Sequence, residues 1–205
     1  GAAHPPLCTY EGMQQRLPES YMELASTNHG RVSPVGVAWK RVREEYPEIE
    51  LYTQDESHPS YAGSYLAASV FYSSIFQKSC EASGFIGSLD SITASRLRTI
   101  ASETVLDSLG LWGFLEAEVI LDSTFLNYAY LTASYSNADS IAWDFGDPFV
   151  GSSSDSLVTA EYLVEGEYTV TLSVYDRLNC ESKSADTIVP VSYTHLRAHE
   201  TALYL

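Results

Sequence analysis

Asp55 and His58 stand three residues apart in the segment DESHPS. A positioned histidine takes the proton from a nucleophilic hydroxyl, and a carboxylate beside it fixes the imidazole tautomer and stabilises the cation that forms. One turn of loop suffices to bring the two side chains together, and Ser60, at the N-cap position of the apolar-periodic stretch that follows, ties that turn to a helix. An isolated Asp-x-x-His is also what a solvated loop contains. The other histidines have no such partner: by pattern His4 and His29 fall in loops, and His195 and His199 belong to a C-terminal stretch unlike the rest of the chain. A metal held by Asp55 and His58 needs a third ligand that neither loop nor helix spacing supplies, so no metal and no other cofactor is expected. Asp139, Asp144 and Asp147 make an acidic loop that could take calcium with loop carbonyls or be solvated.

The elements that must hold the pair follow from periodicity. Met13, Leu17, Tyr21 and Leu24 predict a helix over residues 9–27 with one apolar face, kinked or interrupted at Pro18. A short strand over 32–35 leads to a helix carrying Val37, Ala38, Val42 and Tyr46, stopped by Pro47 before an extended run over 49–52. After DESHPS, the residues Tyr65, Leu66, Ser69, Tyr72 and Phe76 recur at helical spacing. A last helix over 91–109 turns Ile92, Leu97, Ile100, Val105 and Leu109 toward a core and ends at Gly110 as a C-cap. This alternation reads as an α/β domain over residues 1–112.

Beyond Gly113 the period changes to two. Tyr168, Val170, Leu172 and Val174 share one face and Thr169, Thr171 and Ser173 the other, which is a half-buried strand preceded by a Glu165-Gly166 turn. Strand composition over 125–135 and 140–145 extends this to an all-β sandwich over 116–190. Trp-Asp-Phe-Gly-Asp at 143–147, Glu161-Tyr162 and GEYTVTLSVYD together resemble the PKD domain, an immunoglobulin-like module of extracellular proteins, with Pro148 where the family carries glycine. The resemblance implies a spacer or a module with a glycan or protein ligand. Tyr128, Tyr130 and Tyr135 could stack on sugars or serve as core and cross-strand partners.

DESHPS followed by AGSYLAASVFYSSIF resembles the last block of SGNH (GDSL-like) hydrolases. The resemblance implies a flavodoxin-like α/β fold, Asp55 as the catalytic aspartate, His58 as the general base, and a carboxylic ester or acylated carbohydrate as substrate. No serine in the sequence follows Gly-Asp, and no Gly-x-Asn-Asp occurs, so neither the family's nucleophile nor its oxyanion donors are present. The expectation is the C-terminal part of a secreted or cell-surface serine esterase, inactive by itself, whose signal peptide and serine block lie upstream. The alternative is a non-catalytic extracellular adhesion or carbohydrate-binding protein, in which the first domain is degenerate and the sandwich binds.

With 11 Lys+Arg against 27 Asp+Glu the formal charge is −16, so nucleic acid and anionic membrane surfaces are repelled. No apolar run reaches the length of a membrane span. The net charge is −5 over residues 1–110 (8 basic, 13 acidic) and −11 over 111–190 (2 basic, 13 acidic), a shift that coincides with the change of period. Cys8, Cys80 and Cys180 allow at most one internal disulfide, with Cys8–Cys80 the pair inside one domain, and three unpaired residues the other option. The stretch VSYTHLRAHET resembles the translation of a transposon adaptor used in sequencing. Residues 191–205 are accordingly expected to be an artefact that packs against nothing.

Overall fold

The computed structural model describes residues 9–192. The chain divides between Phe114 and Leu115 into two units.

Among the described residues four helices make the first: α1 (Tyr10–Thr27), α2 (Val35–Glu45), α3 (Tyr61–Phe76) and α4 (Ser91–Leu106). Three of them start on side-chain caps that satisfy amide groups left open by the first turn. Thr9 accepts from the Gly12 amide, Ser60 from Gly63, and Asp90 from Ile92 and Thr93. The core lies between α2, α3 and α4, where Val42, Leu51, Leu66, Val70, Leu97, Ile100 and Val105 are sealed from solvent.

Several expectations are corrected here. α1 runs through Pro18, because a proline interrupts one backbone bond while the turns on either side keep theirs. Its apolar stripe is not a core face: Met13, Leu17, Tyr21 and Leu24 are all exposed, and only Gly12 of this helix is buried. The segments read as strands over 32–35 and 49–52 find no sheet. Val32 N–H donates to Trp112 O at 2.9 Å, and Tyr52 forms only an isolated bridge with Pro59. The α/β reading of residues 1–112 therefore gives way to helices joined by extended segments, since a parallel strand needs a neighbour in register and none exists among the described residues of this unit. α4 stops at Leu106, with Asp107 as its cap, and the left-handed glycine lies further on at Gly113 (φ 87°) rather than at Gly110. Ile92 sits in the first turn of α4 and is exposed.

The second unit is all β: β1 (Glu116–Phe125), β2 (Tyr128–Ser136), β3 (Ser140–Asp144), β4 (Leu157–Glu161), β5 (Gly166–Asp176) and β6 (Glu181–Val191). Two antiparallel three-stranded sheets result, in the orders β1-β2-β4 and β3-β5-β6. On β5 the predicted alternation appears as burial of Val170, Leu172 and Val174, while Thr169 faces out. Their partners in the core are Leu131, Trp143, Phe145, Tyr162 and Val189. Val191, placed in the tail by the sequence reading, is the last residue of β6, pairs with Gly166 and is buried. A truncation that spares the sandwich thus ends at Ser192 rather than at Pro190. The remaining part of the stretch read as an adaptor, 193–205, lies outside the described residues, as do His4, Cys8, His195 and His199.

Gly146 shows how closely the tryptophan motif is fitted. Its φ is 72°, and a Cβ there would stand 2.4 Å from Thr169 O on β5. Both the left-handed backbone and the close approach exclude a side chain. Gly146→Ala is expected to destabilise the sandwich by at least about 1–3 kcal/mol, read as a drop in denaturation midpoint at unchanged m-value; a variant as stable as the parent would show that β5 can withdraw freely.

Candidate functional site

The loop between Leu51 and Ser60 is a tight, internally bonded hairpin. At its base Ser60 N–H donates to Leu51 O (2.9 Å), and Thr53 N–H donates to His58 O (2.8 Å). The Ser60 hydroxyl donates to Glu50 O at 2.8 Å while accepting from Gly63, so one side chain both caps α3 and fastens the loop. Gly63 matters for the same reason: a Cβ on it would stand 2.3 Å from Leu51 O and 2.4 Å from the Trp39 ring. The first turn of α3 thus lies directly against the loop.

Within this frame Asp55 is immobilised by four donors. Its Oδ1 accepts from the Thr53 hydroxyl at 2.6 Å, the His58 amide at 3.0 Å and the Ser57 amide at 3.1 Å. Its Oδ2 lies 2.5 Å from His58 Nδ1. The His58 amide first, then the Thr53 hydroxyl, the His58 ring and the Ser57 amide hold the Asp55 carboxyl far below the ordinary carboxylate range. An ionised carboxylate only accepts, so the ring must carry its proton on Nδ1. That leaves the Nε2 lone pair free, and Nε2 makes no hydrogen bond to any described residue, with the His58 side chain 77% exposed. A carboxylate-anchored imidazole with an open Nε2 is equipped to accept a proton from a hydroxyl presented to it.

Both predicted site residues are therefore brought together in one loop. Thr53 was missed. A Thr-x-Asp sequence ahead of a turn signals such a contact, because hydroxyl and Asx side chains satisfy one another locally in turns. An open groove of about 1120 Å³ runs beside the loop, with Tyr10, Arg43, Tyr52 and Ser57 among its walls. Arg43 lies over the Tyr10 ring, 4.1 Å from its centroid. Neither Asp55 nor His58 lines this groove.

The lowered pKa of Asp55 has a consequence in acid. Its folded pKa is lowered, so its contribution to the loop is present above the unfolded value, about 4, and is lost only as pH falls through the lower folded value. Amide resonances of Ser57 and His58 are expected to keep their native positions as pH is lowered through about 4. A midpoint near 4 for those two amides would contradict the hydrogen-bonded geometry.

The remaining candidates resolve individually. Asp144 accepts from the Gly146 amide at 2.9 Å, Asp147 from Phe149 at 2.9 Å, and Asp139 from Arg177 at 2.7 Å, so each carboxylate closes a local turn or loop. Among the described residues no three His, Cys, Asp or Glu side chains converge as a metal would require. Val150 N–H donates to Asp147 O at 3.1 Å, which puts Pro148 at the second position of a four-residue turn, where its fixed φ fits. Cys80 is a buried free thiol and Cys180 an exposed one. His29 closes the end of α1 with φ 52° and is exposed. Tyr130 and Tyr135 are exposed on β2, and Tyr128 is half-buried. Among the described residues no helix is long and apolar enough to cross a membrane.

No known family model matches the chain, and no curated protein matches it. Solved structures do. The chain is similar to the PKD1 domain of the Vibrio cholerae metalloprotease PrtV, with 26% identity over 37% of this chain and 93% of that one and a TM-score of 0.32. It is similar to the PKD1 domain of Vibrio anguillarum Epp, with 25% identity over 39% and 95% of the two chains and a TM-score of 0.35. A structure described for the promiscuous specificity of carbohydrate-binding modules from the β-sandwich superfamily shares 24% identity over 38% of this chain and 34% of that one, with a TM-score of 0.34. The assignment of the second unit as a two-sheet antiparallel sandwich rests on its own strand order.

Proposed function

We propose that the first unit is the C-terminal part of an SGNH-type serine esterase domain, in which His58 is the general base and Asp55 its orienting carboxylate. The observation that carries this reading is the 2.5 Å contact between Asp55 Oδ2 and His58 Nδ1, made by an aspartate fixed by three further donors, with Nε2 left open. On this reading the attacking serine and the oxyanion donors belong to a segment outside this sequence, and the substrate is a carboxylic or carbohydrate ester. The serine hydroxyl would lose its proton to Nε2 as its oxygen attacks the acyl carbonyl.

The second unit, on the same proposal, is a PKD-type module of a secreted or cell-surface protein, serving as spacer or as a binder of glycan or protein. Support comes from the Trp143 motif: the indole Nε1–H donates to Asp155 O at 2.9 Å, the ring stacks on Phe145 at 5.9 Å, and the buried Tyr162 hydroxyl donates to Phe145 O at 3.1 Å. The test of the enzymatic reading is hydrolysis of p-nitrophenyl acetate. The chain alone should give the buffer rate, and the chain extended by its upstream reading frame should give a rate that scales with enzyme. An extended chain that folds but lacks activity would leave the adhesion reading in possession.

A further inference from the structure

Pro34 caps α2 and disfavours helical backbone in the residue before it, so Ser33 continues the extended run that leaves the end of α1. Val32 N–H donates to Trp112 O at 2.9 Å, whereas the Ser33 amide has no partner among the described residues. Ser33 is half-buried, and with its neighbours from Gly30 to Val37 it lines an open trough of about 810 Å³. The same trough is lined by Leu17, Tyr21 and Leu24 of α1, by Phe71 of α3 and by Trp112. Those four α1 and α3 side chains are apolar yet 45% to 60% exposed. α2 packs on both α1 and α3, while α1 and α3 do not pack closely on one another. Extended backbone and the uncovered apolar faces of two separate helices thus meet in one place. Leu17, Val35 and Phe71 also line a groove of about 630 Å³ that reaches Ser57 and Pro59, so the apolar surface is continuous with the His58 loop.

We propose that the trough receives an apolar β-strand of the upstream segment, which pairs with residues 31–33 and is covered by the exposed side chains of α1 and α3. That segment is the one the esterase reading places outside this sequence, and the proposal rests on that reading. A strand suits the trough better than a helix, because an extended run offers main-chain hydrogen bonds beside apolar contacts. A strand covered by helices on both faces is apolar along its whole length, which matches the lining. The continuity with the His58 loop favours the same segment as occupant, since that segment has to bring a serine to Nε2. A second copy of the chain is the poorer occupant, because the edge strands of its sandwich already turn their apolar residues to their own core.

The test is hydrogen exchange of residues 31–33, compared between the chain alone and the chain extended by its upstream reading frame. Exchange at Ser33 is expected to slow about tenfold or more in the extended chain. Tyr21→Gln and Leu24→Gln keep good helix formers on α1 and should leave the melting temperature of the chain alone unchanged, but each should lower that of the extended chain by about 2–4 °C or more. Equal Ser33 exchange in the two chains overturns the proposal, as do glutamine variants that leave the extended chain as stable as its parent. Ser33 protection that arises in the chain alone and grows with its concentration also overturns it, by making a second copy the occupant. Neither readout needs turnover. A protected but inactive extended chain contradicts the esterase and supports the trough, whereas an active one with Ser33 unprotected contradicts the trough alone.

Discussion

His58→Ala, made in the chain extended by its upstream reading frame, is expected to lower kcat/KM for an activated ester by about 10²- to 10⁴-fold while the protein stays folded. The size follows from the geometry: Nε2 is the ring nitrogen without a partner among the described residues, and alanine offers no base in its place. Asp55→Asn should cost less. An asparagine keeps the oxygen that accepts from Thr53, Ser57 and the His58 amide, but it removes the charge that stabilises the imidazolium and allows the ring to adopt the other tautomer. The pair should act as a unit, so the double variant should lose little beyond His58→Ala alone. Circular dichroism of each variant separates loss of chemistry from loss of fold. Full activity in folded His58→Ala would return the loop to a purely structural role.

Trp143→Ala is the largest expected stability effect, about 3–5 kcal/mol. Only 2% of the Trp143 surface is exposed, its ring stacks on Phe145, and its indole N–H satisfies Asp155 O. Truncation therefore opens a large cavity and orphans a carbonyl of the long connection between β3 and β4. Residues 115–192 expressed alone should unfold in one cooperative transition, since their core is made from their own strands. The loss is then read as the shift in urea midpoint of that fragment at constant m-value. A change below about 1 kcal/mol would show that the indole does not fill the space between the sheets.

How far the sequence revealed this architecture depended on whether a signal was local. The β5 alternation and the Ser60 cap are encoded within a few residues and appear where pattern placed them, and Asp55 and His58, three residues apart, meet in one loop. β1, β4 and β6 were less legible. β6 alternates half-buried and exposed polar residues along most of its length, and β4 is five residues long, so neither carries a strong apolar period. The segments over 32–35 and 49–52 read as strands because extended composition is local, whereas a sheet requires a partner strand. α1 misled for a related reason: an apolar stripe at 3.6-residue spacing specifies a helix with a sticky face, but not what covers that face.

The most direct test of the catalytic reading is labelling with a fluorophosphonate, which reacts with a serine hydroxyl only when a base activates it. In the extended chain the probe is expected to modify one serine of an upstream Gly-Asp-Ser segment, and His58→Ala should abolish that labelling while leaving the fold intact. No modified serine in a folded extended chain, or labelling undiminished in His58→Ala, would contradict the account.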